Sequence, residues 1–155
     1  MNTCCFLGHR TIHITNELKY KLLETVEWLI TDKAVDTFLF GSKSQFNTIC
    51  HEIVSQAREK HPHIKRIYVR AEFPNISDSY KAYLLESYED SYYPERIIGS
   101  GRAVYVERNF EIIDHSEFCI FYYCEDNLPS TRKSGTKIAL DYARKHHKAV
   151  IIVTQ

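Results

Sequence analysis

The chain has 155 residues, 44% apolar and 26% charged, with 20 Lys plus Arg set against 20 Asp plus Glu. Such a length suits one domain with a single sizeable core, and the balanced charge predicts no general binding to nucleic acid or to anionic membrane. Neither a signal-peptide pattern nor an apolar run of membrane-spanning length is read, so no membrane partner is expected.

In chain order, TCCFLG (Thr3 to Gly8) is a short apolar run ending at a glycine, the pattern of a buried strand. Asn16 and Glu17 open a helix with Leu18, Leu22, Val26, Leu29 and Ile30 on one face. DTFLFG (Asp36 to Gly41) repeats the strand-then-glycine pattern. The following helix carries Phe46, Ile49, Cys50, Ile53, Val54 and Ala57 at core-stripe spacing. IKRIYVRA (Ile64 to Ala71) predicts a third strand, and an irregular, tyrosine-rich excursion at about 72–102 follows it. The segment from Gly101 to Ser116, ending in YVERNFEIIDHS, predicts a helix with Ala103, Val106, Phe110 and Ile113 facing the core. EFCIFYY (Glu117 to Tyr123) and AVIIV (Ala149 to Val153) predict two more strands around a helix opened by Ser134-Gly135-Thr136. Strands alternating with helices give a largely parallel sheet covered on both faces. The expected fold is one three-layer, Rossmann-like α/β domain over 1–155, with about five strands.

In such a sheet, ligands bind beyond the carboxyl ends of the strands. The segments there are Gly8-His9-Arg10, Gly41-Ser42-Lys43-Ser44, Arg70 with Ala71, and Cys124 to Thr136. A helix N-terminus presents unpaired N–H groups and a positive dipole end, and small residues let an anion come close. Gly41–Ser44 and Ser134–Thr136 are thus candidate anion cradles, with Arg10 or Lys43 as countercharge. The alternative is that Ser44 and Ser134 are plain helix caps. On the helix from Gly101, Tyr105, Arg108 and Asn109 share a face suited to a ribose, a phosphate or a base. Tyr80, Tyr83, Tyr88, Tyr92 and Tyr93 suit base stacking, a subunit interface that would make a homo-oligomer, or plain packing. There is no GxGxxG after the first strand and no GKS or GKT loop, which argues against an ordinary dinucleotide enzyme or NTPase.

The histidines show neither HExxH nor zinc-finger spacing, and no metal or cofactor is expected. Five cysteines, an odd number without a CxxC pair, fit reduced thiols in a cytoplasmic protein. Adjacent Cys4 and Cys5 should point to opposite faces of a strand.

The opening CCFLGHR, the FLFGSKSQF turn, the ERNFEIIDHSEFCIFYY unit and the closing SGTKIALDYARKHHKAVIIV together resemble the SLOG superfamily. These are Rossmann-like domains related to the LOG, DprA and YpsA groups. The last two units also resemble nucleoside 2-deoxyribosyltransferases. The resemblance implies a nucleotide or nucleotide-derived ligand at the strand ends. In the family's enzymes it implies a glutamate three residues after the Thr of the Gly-Thr motif. That position here is Ala139, and Asp141 lies about 200° farther round a helix. The expectation is a binding module, a sensor or a sequestering protein, rather than an enzyme. The alternatives are an N-glycosidic hydrolase or transferase, with Glu107 or Glu111 as its carboxylate, and an interaction protein with a degenerate pocket.

Overall fold

Cys4 and Cys5 are neighbours in sequence and fully buried, yet they belong to two different cores. This is the pleat of a strand with both faces covered. A computed structural model describes residues 1–125 and 134–154. Its elements are β1 (Asn2–Gly8), α1 (Asn16–Asp32), β2 (Val35–Phe40), α2 (Gln45–Lys60), β3 (Lys65–Val69) and α3 (Asp78–Leu85). They continue with β4 (Asp90–Tyr92), α4 (Ala103–Asp114), β5 (Phe118–Tyr122), α5 (Gly135–Lys145) and β6 (Ala149–Ile152).

The strands form one sheet in the order β4-β3-β2-β1-β5-β6, every pair parallel. On one face α1 and α2 lay Leu22, Val26, Leu29, Phe46 and Val54 on Cys4, Phe6, Phe38, Phe40 and Ile120. On the other, α4 and α5 lay Ile112, Ile113, Ala139, Leu140 and Ala143 on Cys5, Leu7, Leu39, Cys119 and Phe121. This is the three-layer α/β class that the alternation predicts. The stripes read for α1 and α2 are the buried ones, with Asn47 added to the second.

Two expectations change. The sheet has six strands, because the excursion holds a helix and an edge strand, α3 and β4. Three residues, Asp90-Ser91-Tyr92, are too few to show an alternation, and the strand is held by its neighbour instead. The Arg66 guanidinium grips the Glu89 carboxylate at 2.7 and 3.0 Å, and the Arg66 N–H donates to the same carboxylate at 2.8 Å. The second change is the inner face of α4. Ala103 is exposed and Phe110 only half-buried; the residues turned inward are Arg108, Ile112 and Ile113. An arginine on a core face breaks the apolar pattern from which that face was predicted.

All strand carboxyl ends of a parallel sheet lie on one edge. The winding leaves β1 toward β2 on one side and reaches β5 on the other, so the loops after these strands part at that point.

Candidate functional site

At that edge the structure holds a cavity of about 720 Å³, a size common for small-molecule sites. The loop after β1 supplies Gly8, His9 and Arg10, and the loop after β2 supplies Gly41, Ser42, Lys43 and Ser44. Arg70 to Phe73 come from the end of β3, Tyr105, Arg108 and Asn109 from α4, and Ser134, Gly135 and Thr136 from the start of α5. The segment Cys124–Thr136 is described only at its two ends, since 126–133 lie outside the described residues.

Arg108 sets the site's electrostatics. It is only 5% exposed and no carboxylate pairs with it among the described residues. Its Nε donates to Asn109 Oδ1 at 3.0 Å, and its guanidinium lies 5.9 Å from the centre of the Tyr105 ring. Its two Nη groups have no partner among the described residues. No sealed side-chain nitrogen or oxygen there lacks a partner, so the Nη groups keep contact with the open cavity. Burial pushes the guanidinium down to about 10, against the pull of Tyr68, Tyr105 and Glu72, and leaves it charged at neutral pH. A buried charge without a counterion is costly and persists only where something offsets it. The stem needs room as well. A Cβ on Gly41 would stand 2.5 Å from Arg108 Cδ, so glycine there is what lets the arginine pass.

The two candidate cradles differ. At α2 several donors are used internally, while the N–H groups of Ser42, Lys43 and Phe46 have no partner among the described residues. Ser44 Oγ accepts from Asn47 N at 3.1 Å, Gln45 N donates to Arg10 O at 2.9 Å, and Gly41 N donates to Asn47 Oδ1 at 3.2 Å. Ser44 is thus a cap whose hydroxyl is further bonded by Ser42 Oγ at 2.8 Å. At α5, Ser134 Oγ caps Lys137 N at 3.1 Å, while the N–H groups of Gly135 and Thr136 have no partner among the described residues. A Cβ on Gly135 would meet nothing within 4 Å. Both turns thus keep open donors, and only at the second are they the first two N–H groups of the helix.

His9 Nε2 accepts from Cys124 N–H at 3.1 Å, so the ring proton sits on Nδ1; burial lowers its pKa and favours that neutral form. The loop after β3 brings residues that the sequence reading missed. Glu72 accepts a hydrogen bond from the Tyr105 hydroxyl, and Phe73, 60% exposed, stands at the cavity lip with φ +60°. A bulky side chain in left-handed backbone is strained. Tyr68, Tyr80 and Asn47 also reach the cavity. Glu72 and Phe73 directly follow Arg70 and Ala71, so the strand-end rule carried two residues farther would have found them. Of the five tyrosines, Tyr80 lines the cavity, Tyr88 packs on Phe40, His51 and Tyr68, and Tyr92 donates to Glu111.

Glu107 and Glu111, the alternative carboxylates, do not line this cavity. Glu107 accepts from the N–H groups of Ile98 and Gly99, at 2.7 and 3.2 Å. Glu111 faces Tyr92, Arg96 and His115. Helical periodicity puts Glu111 about 60° and Glu107 about 100° round α4 from Arg108, both on the flank that meets Ile98, Gly99 and Arg96. Ala139 is fully buried in the core beneath α5, and Asp141 pairs with Lys137 at 3.1 Å. No group of His, Cys, Asp or Glu among the described residues could hold a metal ion.

A six-stranded parallel sheet with its cavity at the carboxyl edge defines an α/β protein of Rossmann-like architecture. The fold is similar to that of DNA processing protein A from Helicobacter pylori, solved for its single-stranded DNA binding mode. The TM-score is 0.61 and the identity 16%, over 97% of this chain and 64% of that one. This chain therefore spans less than two thirds of its neighbour's length. No family model and no curated protein matches the sequence.

That neighbour overturns one expectation. Balanced charge predicted no general nucleic-acid binding, yet a protein sharing this fold binds single-stranded DNA. Net charge averages over the whole surface, whereas Arg10, Lys43, Arg70 and Arg108 all line one edge. No helix among the described residues is long and apolar enough to cross a membrane.

Proposed function

We propose that the chain is a SLOG-type domain that binds a nucleotide or nucleotide-derived ligand at the carboxyl edge of its sheet, as a sensor or sequestering module. The observation that carries this reading is Arg108: a buried guanidinium whose Nη donors have no partner among the described residues, in a cavity also lined by Gly135 and Thr136, whose N–H groups have none there either. An anionic group such as a phosphate supplies the paired countercharge that Arg108 lacks among the described residues. Binding is favoured over N-glycosidic cleavage because Ala139 stands where the resembled enzymes carry their glutamate. The test is thermal unfolding with adenosine 5′-monophosphate (AMP), ADP-ribose and cyclic nucleotides. A ligand at a hundred times its dissociation constant adds about 2.7 kcal/mol, and Arg108→Gln should remove the shift. No shift with any of them sinks the reading.

The cationic edge and the exposed aromatic side chains Phe73 and Tyr83 favour a second reading, in which a single strand presents a nucleotide to the same cavity. An oligothymidylate that shifts unfolding where the mononucleotides do not would select it.

A further inference from the structure

The cavity is chemically two-ended. Arg108 and the first N–H groups of α5 are donors without acceptors among the described residues. Elsewhere in the same lining the Tyr105 hydroxyl donates to Glu72 Oε1, which leaves Glu72 Oε2 and the lone pairs of the Tyr105 oxygen as acceptors. Arg10, Lys43 and Arg70 also line the cavity and favour an anion in it, but Glu72 Oε2 calls for a hydrogen-bond donor. A ligand that fills both must carry its negative charge at one end and hydrogen-bond donors at the other.

The spacing of the ends narrows the ligand. The Tyr105 ring that carries the hydroxyl to Glu72 also lies against the Arg108 guanidinium, 5.9 Å from its centre, so one tyrosine side chain separates the two ends. Glu72 is also close enough to act on Arg108 electrostatically. Anionic group and donors therefore belong to neighbouring parts of one small molecule. A carboxylate accepts two adjacent hydroxyls well, as acidic residues do with ribose in dinucleotide sites. Here the acidic residue follows the third strand, and the phosphate-binding glycine fingerprint is absent. Beside Glu72, Phe73 and Tyr80 offer aromatic surface to whatever flat group the sugar carries.

We infer that Glu72 and Tyr105 form a clasp that reads the vicinal hydroxyls of a ribose whose phosphate lies at Arg108, which makes the ligand a ribonucleotide or a ribose phosphate and disfavours its 2′-deoxy form. This rests on the ligand-binding reading above.

The test measures affinities of AMP, 2′-deoxyadenosine 5′-monophosphate and ribose 5-phosphate for the wild type, Glu72→Ala and Tyr105→Phe. In the wild type, loss of the 2′-hydroxyl should weaken binding about tenfold or more, the effect of one hydrogen bond to a charged acceptor. In Glu72→Ala the ribo and deoxy forms should bind alike, close to the wild type's affinity for the deoxy form. Tyr105→Phe should retain part of the preference. Ribose 5-phosphate should still compete with AMP, which separates sugar recognition from recognition of the base's amino group. Equal wild-type affinity for ribo and deoxy forms overturns the clasp and leaves the binding reading standing, whereas no binding of any probe overturns both. Release of adenine from AMP, lost in Glu72→Ala, would give the carboxylate a catalytic contact instead and overturn the clasp.

Discussion

Arg108 is the residue at which stability and binding conflict. Its charge has left water without a counterion among the described residues, so the folded protein carries an unfavourable term there. Its stem fills the space over Gly41, so only the charged tip is dispensable for packing. Arg108→Met keeps a stem of similar reach and removes the charge. Its melting temperature should equal or exceed the wild type's, while AMP affinity falls by about 1.5–3 kcal/mol. Melting curves and titrations on the same samples check this. A large loss of stability with unchanged affinity would make Arg108 a packing residue. At this scale the sequence showed Arg108 with Tyr105 and Asn109 on one helix face. It did not show the arginine buried, because burial is set by what packs against α4.

At the scale of elements the question is why α5 opens on Ser-Gly-Thr. The cap is real: Ser134 Oγ holds Lys137 N, and Ser134→Ala should cost about 1 kcal/mol of stability. A cap does not need a glycine after it. An added Cβ at 135 meets no atom within 4 Å, and alanine is the better helix former, by up to about 1 kcal/mol. Gly135→Ala should therefore stabilise the fold. Gly135→Val should leave melting nearly unchanged but weaken AMP binding, because its side chain occupies the approach to the Gly135 and Thr136 N–H groups. Titrating AMP against the three variants decides, and undiminished affinity in Gly135→Val would reduce the turn to a helix start. The corresponding turn at α2 shows how alike two such starts look in sequence. Gly41–Ser44 has the same small residues, yet Asn47 and Ser42 take up part of its hydrogen-bonding groups internally.

For the whole molecule, the pH dependence comes from Glu89 beside the edge strand, Asp114 at the end of α4 and His9 at the cavity. Burial alone would raise the pKa of Glu89, but the hydrogen bonds and charge of Arg66, with Arg58 nearby, hold it below its ordinary 4.5. Burial likewise opposes, and Arg96 and Tyr142 outweigh it, to hold Asp114 below 3.8. A carboxyl depressed in the folded state contributes stability that is full above its ordinary value and is lost as pH falls through the depressed one. The urea midpoint should begin to decline as pH falls through the ordinary 6.5 of His9, whose folded pKa burial lowers, and decline further below about 5 as the carboxyls protonate. Glu89→Gln should make that decline shallower and lower the midpoint at neutral pH, since β4 loses its grip on β3. An equally steep decline in the variant would assign the acid sensitivity elsewhere.

Periodicity by itself determined the α/β class, the parallel sheet, the inward stripes of α1 and α2 and the opposed burial of Cys4 and Cys5. Each follows from a repeat of 3.6 or 2 residues that burial on a covered sheet imposes. The rule that ligands lie at strand ends also placed most of the cavity-lining residues in advance. Tertiary structure alone decided what no local period encodes. It made β4 a strand, although three residues cannot alternate, because Arg66 and the β3 backbone hold it. It turned α4 so that an arginine faces inward, closed part of the donors of the α2 turn, and brought Glu72 to Tyr105 across 33 positions of sequence. A cavity's chemistry depends on which side chains find partners in three dimensions, and the linear order records only which residues are available to do so.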